Sequence, residues 1–312
     1  MSGAGIILLA ALVGAVPRTK VPASAARTKA SRAAVASVPA DTAFRRTPYL
    51  GAIALDAQTG RVLSESRPHQ PCYPASCTKL MTAYLALKAV RAGELRLDDR
   101  LVQSAVSYRE KPSWIGIRPG ESISVDDGFK ALMVQSANDV AVMFAEKLGG
   151  TCEHFVELMN AEAQALGMTN THFVTPNGYP PPRGSKRGFD VSTAADLGKL
   201  ALVMVKEQPE ILRYTALERV TIPEVLNREG EKLEMVNHNN LLVGNRRHGT
   251  AKFAGVDGLK TGYHDAGGSS LVVTATRNGK RAVVVVVGSS SAKARDDSAE
   301  QLLRDALGAI AW

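Results

Sequence analysis

Five consecutive valines, Val283–Val287, constrain this chain more than any other stretch. Strand side chains alternate between the two faces of a sheet. A strand that is apolar at every position must therefore be covered on both faces. The run belongs to the last of three strand-like segments, Val256–Tyr263, Ser269–Thr276 and Arg281–Gly288. Glycine-containing turns, Asp265–Gly268 and Arg277–Lys280, separate them. Near the other end, Gly51–Leu55 and Val62–Leu63 flank Asp56-Ala57-Gln58-Thr59-Gly60, which reads as a β-hairpin. Two strands open the domain and three close it. The simplest assembly is α+β: one five-stranded antiparallel sheet with the first and last helices packed against it, in three α/β/α layers.

Between the two strand groups, residues 94–210 read as a mostly helical subdomain. Ser124-Val125-Asp126-Asp127 caps a helix running from Gly128 to Val134. Apolar periodicity predicts further helices over Val140–Leu148, Glu153–Leu166 and Thr193–Lys206. Residues 175–182 are a loop, 218–240 an irregular β excursion, and Ser290–Ile310 a closing amphipathic helix.

The net charge of +8 raises the question of nucleic acid, but its location argues against it. Residues 1–48 hold seven Lys/Arg and one acid, whereas the remaining 264 carry 31 basic and 29 acidic side chains. Residues 3–16 are uncharged and apolar, too short to span a bilayer comfortably but suited to a signal-peptide core. Ala23-Ser24-Ala25 supplies a small-x-small cleavage pattern. The expected organisation is a signal peptide over 1–25, a flexible basic linker over 26–48 and one domain over 49–312. The product is an exported, periplasmic or extracytoplasmic protein with no transmembrane helix in the mature chain. Cys72, Cys77 and Cys152 make an odd count; a Cys72–Cys152 bridge is conceivable, and Cys77 reads as a small buried side chain. The histidines show no metal-ligand spacing.

Chemistry enters with Ser76-Cys77-Thr78-Lys79, followed at once by an apolar helix that ends near Ala92-Gly93. Residues three apart share a helix face, so a hydroxyl lies beside an amine. A serine becomes a nucleophile when a nearby base takes its proton, and a lysine serves once burial or a neighbouring cation lowers its pKa. The tetrad alone is weak, since about one is expected by chance in such a chain. A second, Ser290-Ser291-Ala292-Lys293, opens a solvated helix and reads as nothing more. Two further motifs follow in order. Ser136-Ala137-Asn138 sits on a connection between helices. Lys260-Thr261-Gly262 sits on a strand, where Lys260 and Gly262 face one way and Thr261 the other.

These three motifs, with Gly167-Met168-Thr169-Asn170-Thr171 and Val256-Asp257-Gly258-Leu259 as context, resemble the penicillin-binding D-alanyl-D-alanine carboxypeptidases of the serine β-lactamase/transpeptidase superfamily. The resemblance runs from about Tyr49 to the C-terminus. It implies that Ser76 attacks the D-Ala-D-Ala carbonyl of a peptidoglycan pentapeptide and that Lys79 accepts its proton. It further implies that Ser136 relays a proton to the leaving group and that Asn138 orients Lys79. Lys260, Thr261 and Gly262 would form the substrate-binding strand, the first two holding the terminal carboxylate. The backbone N–H groups of Ser76 and Tyr263 would make an oxyanion hole. β-Lactam antibiotics would be inhibitors, and no cofactor or metal is implied. His264 reads as a rim residue and His238 as a loop hydrogen-bonder.

Three alternatives are distinguishable. A β-lactamase needs a deacylating glutamate, and Glu224-Val225-Leu226-Asn227 is one residue short of the class A spacing and misplaced in chain order. A D,D-endopeptidase shares every motif. A non-catalytic wall-binding module would tolerate loss of Ser76 or Lys79, yet both are present. Many relatives carry a second, β-rich domain and a membrane-anchoring helix; with about 24 residues after Gly288, neither is expected. Cys77, beside the serine, is expected to make the site sensitive to thiol reagents.

Overall fold

The computed structural model describes residues 48–180, 187–226, 232–243 and 253–310. The proposed signal peptide and nearly all of the basic linker lie outside them. The five-stranded antiparallel sheet contains β1 (Gly51–Asp56), β2 (Val62–Ser66), β7 (Val256–His264), β8 (Gly268–Arg277) and β9 (Lys280–Ser289), in the order β2-β1-β9-β8-β7. The first and last segments of the chain meet at the centre, where Ile53 pairs with Val285 and Leu55 with Val283. β9 is thus the middle strand, and each of Val283–Val287 is fully buried.

The valine run joins two cores. Val283, Val285 and Val287 point into the larger one, with Leu80 and Leu87 of α1 (Lys79–Arg91) and Leu197 of α5 (Ala194–Glu207). Val284 and Val286 point the other way, against Leu303 and Leu307 of α7 (Ala292–Ala309). Ser291, inside the second Ser-x-x-Lys tetrad, caps α7 by accepting from the Ala294 N–H, the structural role expected for that tetrad.

The helical block contains α2 (Val125–Lys130), α3 (Asn138–Gly149) and α4 (Cys152–Ala165). Ser124, Thr151 and Thr193 each cap a helix by accepting from the backbone N–H three residues on. Three features were not read from the sequence. A short hairpin, β3 (Arg100–Val102) with β4 (Ser122–Ser124), lies in the helical block, and its three-residue strands are too brief for a period to register. A one-turn helix, α6 (Leu212–Thr215), follows α5. The helix expected from Gly128 to Val134 starts earlier and changes to a π turn over Ala131–Gln135. The β excursion is a two-stranded ribbon, β5 (Arg219–Ile222) with β6 (Leu233–Val236). Among the described residues no helix is long and apolar enough to cross a membrane. Cys72, Cys77 and Cys152 are free thiols.

Gly198 sets the distance between α5 and the sheet. A Cβ there would lie 2.9 Å from Leu55 Cδ1 and 3.3 Å from Ile53 Cγ2. Gly198→Val should therefore lower stability by roughly 1–3 kcal/mol through overpacking. The expected readout is a lower urea midpoint at unchanged slope; an unchanged midpoint would show that the layers separate freely.

Candidate active site

The site forms where the serine turn meets the sheet's edge strand, β7. Residues Ala75–Thr78 make one 3-10 turn that leads directly into α1. Ser76 does not cap the helix as its residue type suggests, since no side-chain cap bond is present. Its hydroxyl instead lies 3.0 Å from Lys79 Nζ. Two glycines permit the close packing around this turn. At Gly262 on β7, a Cβ would lie 2.5 Å from the Pro74 carbonyl oxygen and 3.1 Å from Cys77 Sγ. Gly178, at φ +77°, abuts Ala75 so tightly that a Cβ would overlap its carbonyl.

Lys79 is completely buried. Its Nζ donates to Asn138 Oδ1 at 2.6 Å and to the Asn177 carbonyl at 2.7 Å. The Asn138 amide orientation is fixed by its other end, because Nδ2 donates to the Lys111 carbonyl, which can only accept. Burial first, and the Lys260 ammonium second, hold the Lys79 amine well below the ordinary lysine range. A neutral amine has two N–H bonds and one lone pair. The two carbonyl oxygens occupy both N–H bonds, so the lone pair is left for the Ser76 hydroxyl.

Ser136 and Asn138 lie beside this pair at the wall of a cavity of about 820 Å³, together with Ser76, Thr261, Gly262 and Tyr263. Ser136 adopts the left-handed conformation at φ +61°, uncommon for a residue with a side chain. Asn138 is the first residue of α3 rather than part of a loop. On β7 Thr261 lines the cavity, while Lys260 is buried and donates to the Thr261 carbonyl at 2.9 Å. Burial brings Lys260 down to about 8. Tyr263 has an exposed side chain whose hydroxyl donates to Asp265.

A family profile described as D-alanyl-D-alanine carboxypeptidase matches residues 49–291. The chain belongs to this family. It is 30% identical over 257 residues to the D-alanyl-D-alanine carboxypeptidase DacC of Escherichia coli K12, covering 80% of this chain and 59% of that relative. The chain thus spans about three fifths of that relative's length. The crystal structure of the carboxypeptidase DacD from Francisella tularensis superposes with a TM-score of 0.74 at 28% identity, covering 84% of this chain and 70% of the other. Penicillin-binding protein D2 of Listeria monocytogenes, solved in its cefotaxime-bound form, gives 0.69 at 31% identity, covering 83% and 97%. The fold is the serine β-lactamase/transpeptidase fold expected from the motifs.

Several residues that shape the family's site here carry no local sequence signal. The Asn177 carbonyl comes from a loop nearly 100 residues after Lys79. Asn177 Nδ2 in turn donates to Glu110 at 2.8 Å; burial pushes the Glu110 carboxyl up. Asp190, also raised by burial, anchors the same loop by accepting from the Val174 N–H, the Thr175 N–H and the Thr175 hydroxyl. No pattern around Glu110 or Asn177 distinguishes them from ordinary loop polars. His264 is not a simple rim residue. It lines the cavity but is 8% exposed, accepts the Gly267 N–H on Nδ1, and packs against Tyr73 and Phe189. Among the described residues no group of three or more His, Cys, Asp or Glu is placed to hold a metal ion.

The expectation for Cys77 needs correction. The thiol is fully buried, sits 3.6 Å from the Lys260 carbonyl oxygen, and is pushed up to about 11 by burial. The reactive species is the thiolate, and it is scarce here. Cys77 should resist alkylation by iodoacetamide at pH 7.5 in the native protein and react on unfolding, as peptide mass spectrometry would show. Gly178→Ala should lose stability by about 1–3 kcal/mol, from its left-handed backbone and the clash with Ala75. Its thermal midpoint should fall accordingly.

Proposed function

We propose that this chain is an exported serine D-alanyl-D-alanine carboxypeptidase that binds penicillin covalently at Ser76. The observation that carries the reading is the fully buried Lys79 amine, held well below the ordinary lysine range by burial and by Lys260, with Nζ 3.0 Å from the Ser76 hydroxyl. That arrangement makes an alkoxide available at neutral pH without a histidine.

In this reading a peptide ending in D-Ala-D-Ala enters the cavity with its terminal carboxylate near Thr261. Lys79 takes the Ser76 proton as Oγ attacks the carbonyl carbon of the penultimate D-alanine. The N–H groups of Ser76 and Tyr263 receive the developing oxyanion, each worth on the order of 10²–10³ in rate. Ser136 passes the proton held by Lys79 to the amide nitrogen, the C–N bond breaks, and D-alanine leaves. Water then cleaves the Ser76 ester, with Lys79 taking a proton from the water and returning one to Ser76 Oγ. Asn138 holds Lys79 in line throughout. A β-lactam enters the same path and stops at the ester. The substrate is peptidoglycan, which places the protein outside the cytoplasm and fits the apolar N-terminal segment.

Mass spectrometry of residues 26–312 with benzylpenicillin should find a stable adduct on the Ser76 peptide, absent from Ser76→Ala. Rapid penicillin turnover without adduct would favour a β-lactamase; no adduct and no turnover would remove the catalytic reading. Hydrolysis of a diacyl-Lys-D-Ala-D-Ala peptide, compared with a cross-linked dimer, separates carboxypeptidase from endopeptidase.

The pH profile tests the two lysines. Activity needs Lys79 neutral, so kcat/KM should fall as pH drops through its depressed value. It also needs the positive charge of Lys260, so kcat/KM should fall again as pH rises through about 8. In Lys260→Arg the alkaline limb should move upward, because arginine keeps its charge. An alkaline limb unmoved by that change would exclude Lys260 as its source.

A further inference from the structure

A second cavity, of about 570 Å³, lies beside the catalytic one. Both border the chain that connects β3 to β4. Pro112 and Ser113 line the catalytic cavity, whereas Glu110, Lys111 and Trp114 line the second. No residue of the three motifs lines it. Its size is within the range that holds small ligands.

Its wall has exposed aromatic rings. Val102, Val106, Tyr108 and Trp114 are four of the nine large apolar side chains exposed among the described residues, and all fall in this one segment. Tyr108 and Trp114 line the cavity while 52% and 44% exposed. Apolar surface concentrated in this way marks a binding surface. The Trp114 ring is also held in place. The Ser113 carbonyl accepts the Asn138 N–H at 2.7 Å, and Asp139 accepts the Ile115 N–H at 3.1 Å. Between these two anchors Trp114 lies over Gly116, where a Cβ would be 3.9 Å from the indole. A ring fixed before the ligand arrives loses little entropy on binding.

The wall also has an unmet acceptor. Gln103 lines the cavity and is 2% exposed, and its amide oxygen has no hydrogen-bond partner. A buried acceptor left unpaired is costly, so a ligand that brings an N–H completes the site. The charges around the cavity balance, with Arg109 and Lys111 against Glu110 and Asp139. Both carboxylates are already engaged, Glu110 by Asn177 Nδ2 and Asp139 by the Ile115 N–H. A neutral ligand fits this wall better than an ion.

Flat rings, an amide acceptor and no net charge describe one class of ligand. The C–H face of a pyranose packs on an aromatic ring, its hydroxyls meet the polar rim, and an acetamido group offers an N–H. We propose that the second cavity binds an N-acetylated sugar, with Trp114 and Tyr108 stacking on the pyranose and Gln103 accepting from the acetamido N–H. The source of the sugar rests on the carboxypeptidase reading: it is the glycan strand that carries the stem peptides, held beside the cavity in which those peptides are cut.

Ligand-observed saturation-transfer NMR with triacetylchitotriose tests the site without turnover. The acetyl methyl signals should respond saturably to the wild-type protein. Maltotriose, which has the rings but no acetamido groups, should bind about 10-fold more weakly. Trp114→Ala should weaken chitotriose about 10-fold, and Trp114→Phe should recover part of that loss. Trp114 is exposed, so both variants should fold. Gln103→Leu should reduce the preference for chitotriose over maltotriose. Acylation of Ser76 by benzylpenicillin should leave sugar binding unchanged, because the cavities are separate. No saturable response below about 10 mM, equal affinity for the two sugars, an affinity unmoved by Trp114→Ala, or displacement by penicillin would each overturn the proposal. Failure of the carboxypeptidase reading shows separately, as a protein that binds chitotriose yet neither cleaves a D-Ala-D-Ala peptide nor is acylated by penicillin.

Discussion

The burial of one amine organises this molecule. An ammonium taken out of water without a compensating anion is strongly disfavoured, and the group neutralises instead. Lys79 meets no carboxylate within hydrogen-bond reach; its partners are the carbonyl oxygens of Asn138 and Asn177 and the Ser76 hydroxyl. Each comes from a different part of the chain: the serine turn, the start of α3 and the 175–178 loop. The amine is thus a junction at which the helical block, the first helix and the loop are held in register. Displacing any one of them leaves a buried polar group without a partner, which costs about 1–3 kcal/mol.

The sheet's part is to hold the serine turn against β7. α1 is fixed on one face of the central valine strand and α7 on the other. Among the described residues β7 is the last strand at its edge of the sheet. An unpaired strand edge is ordinarily a hazard, to be covered or blunted. Here the edge is partly covered by the serine turn, which packs against Gly262, and it borders the cavity at Thr261, Gly262 and Tyr263. Glycine at 262 and 178 brings the serine turn near enough to the strand for this to matter. Ala75, in the serine turn, and Ser136, at the cavity wall, both have left-handed backbones, and such strain persists only where surrounding structure enforces it.

Much of this was legible before any coordinates. The valine run, the turn residues around β8 and the capping residues Ser124, Thr151 and Thr193 express short-range physics: side-chain alternation, left-handed turn residues and orphan N–H groups. Ser124 was read as a cap while Thr151 and Thr193 were not, and element ends were read up to four residues off. Of the motif residues, Ser76, Ser136, Asn138, Thr261 and Gly262 line one cavity, and Lys79 is buried against Ser76. The sequence misled where burial decides chemistry. Cys77 is adjacent to the serine, yet its thiol turns into the core.

What the sequence determined by itself was the sheet, the helical block and the pairing of the Ser76 hydroxyl with the Lys79 amine. Period, capping and a three-residue spacing are local, and each constrains its own neighbourhood. The tertiary structure alone decided which carbonyls lie against Lys79 Nζ and which polar groups stand behind them. Asn177 and Glu110 lie 98 and 31 residues from Lys79 in the chain. Their roles come from proximity in a low-dielectric interior, where small separations govern charge and protonation, and no spacing in a linear chain encodes that proximity.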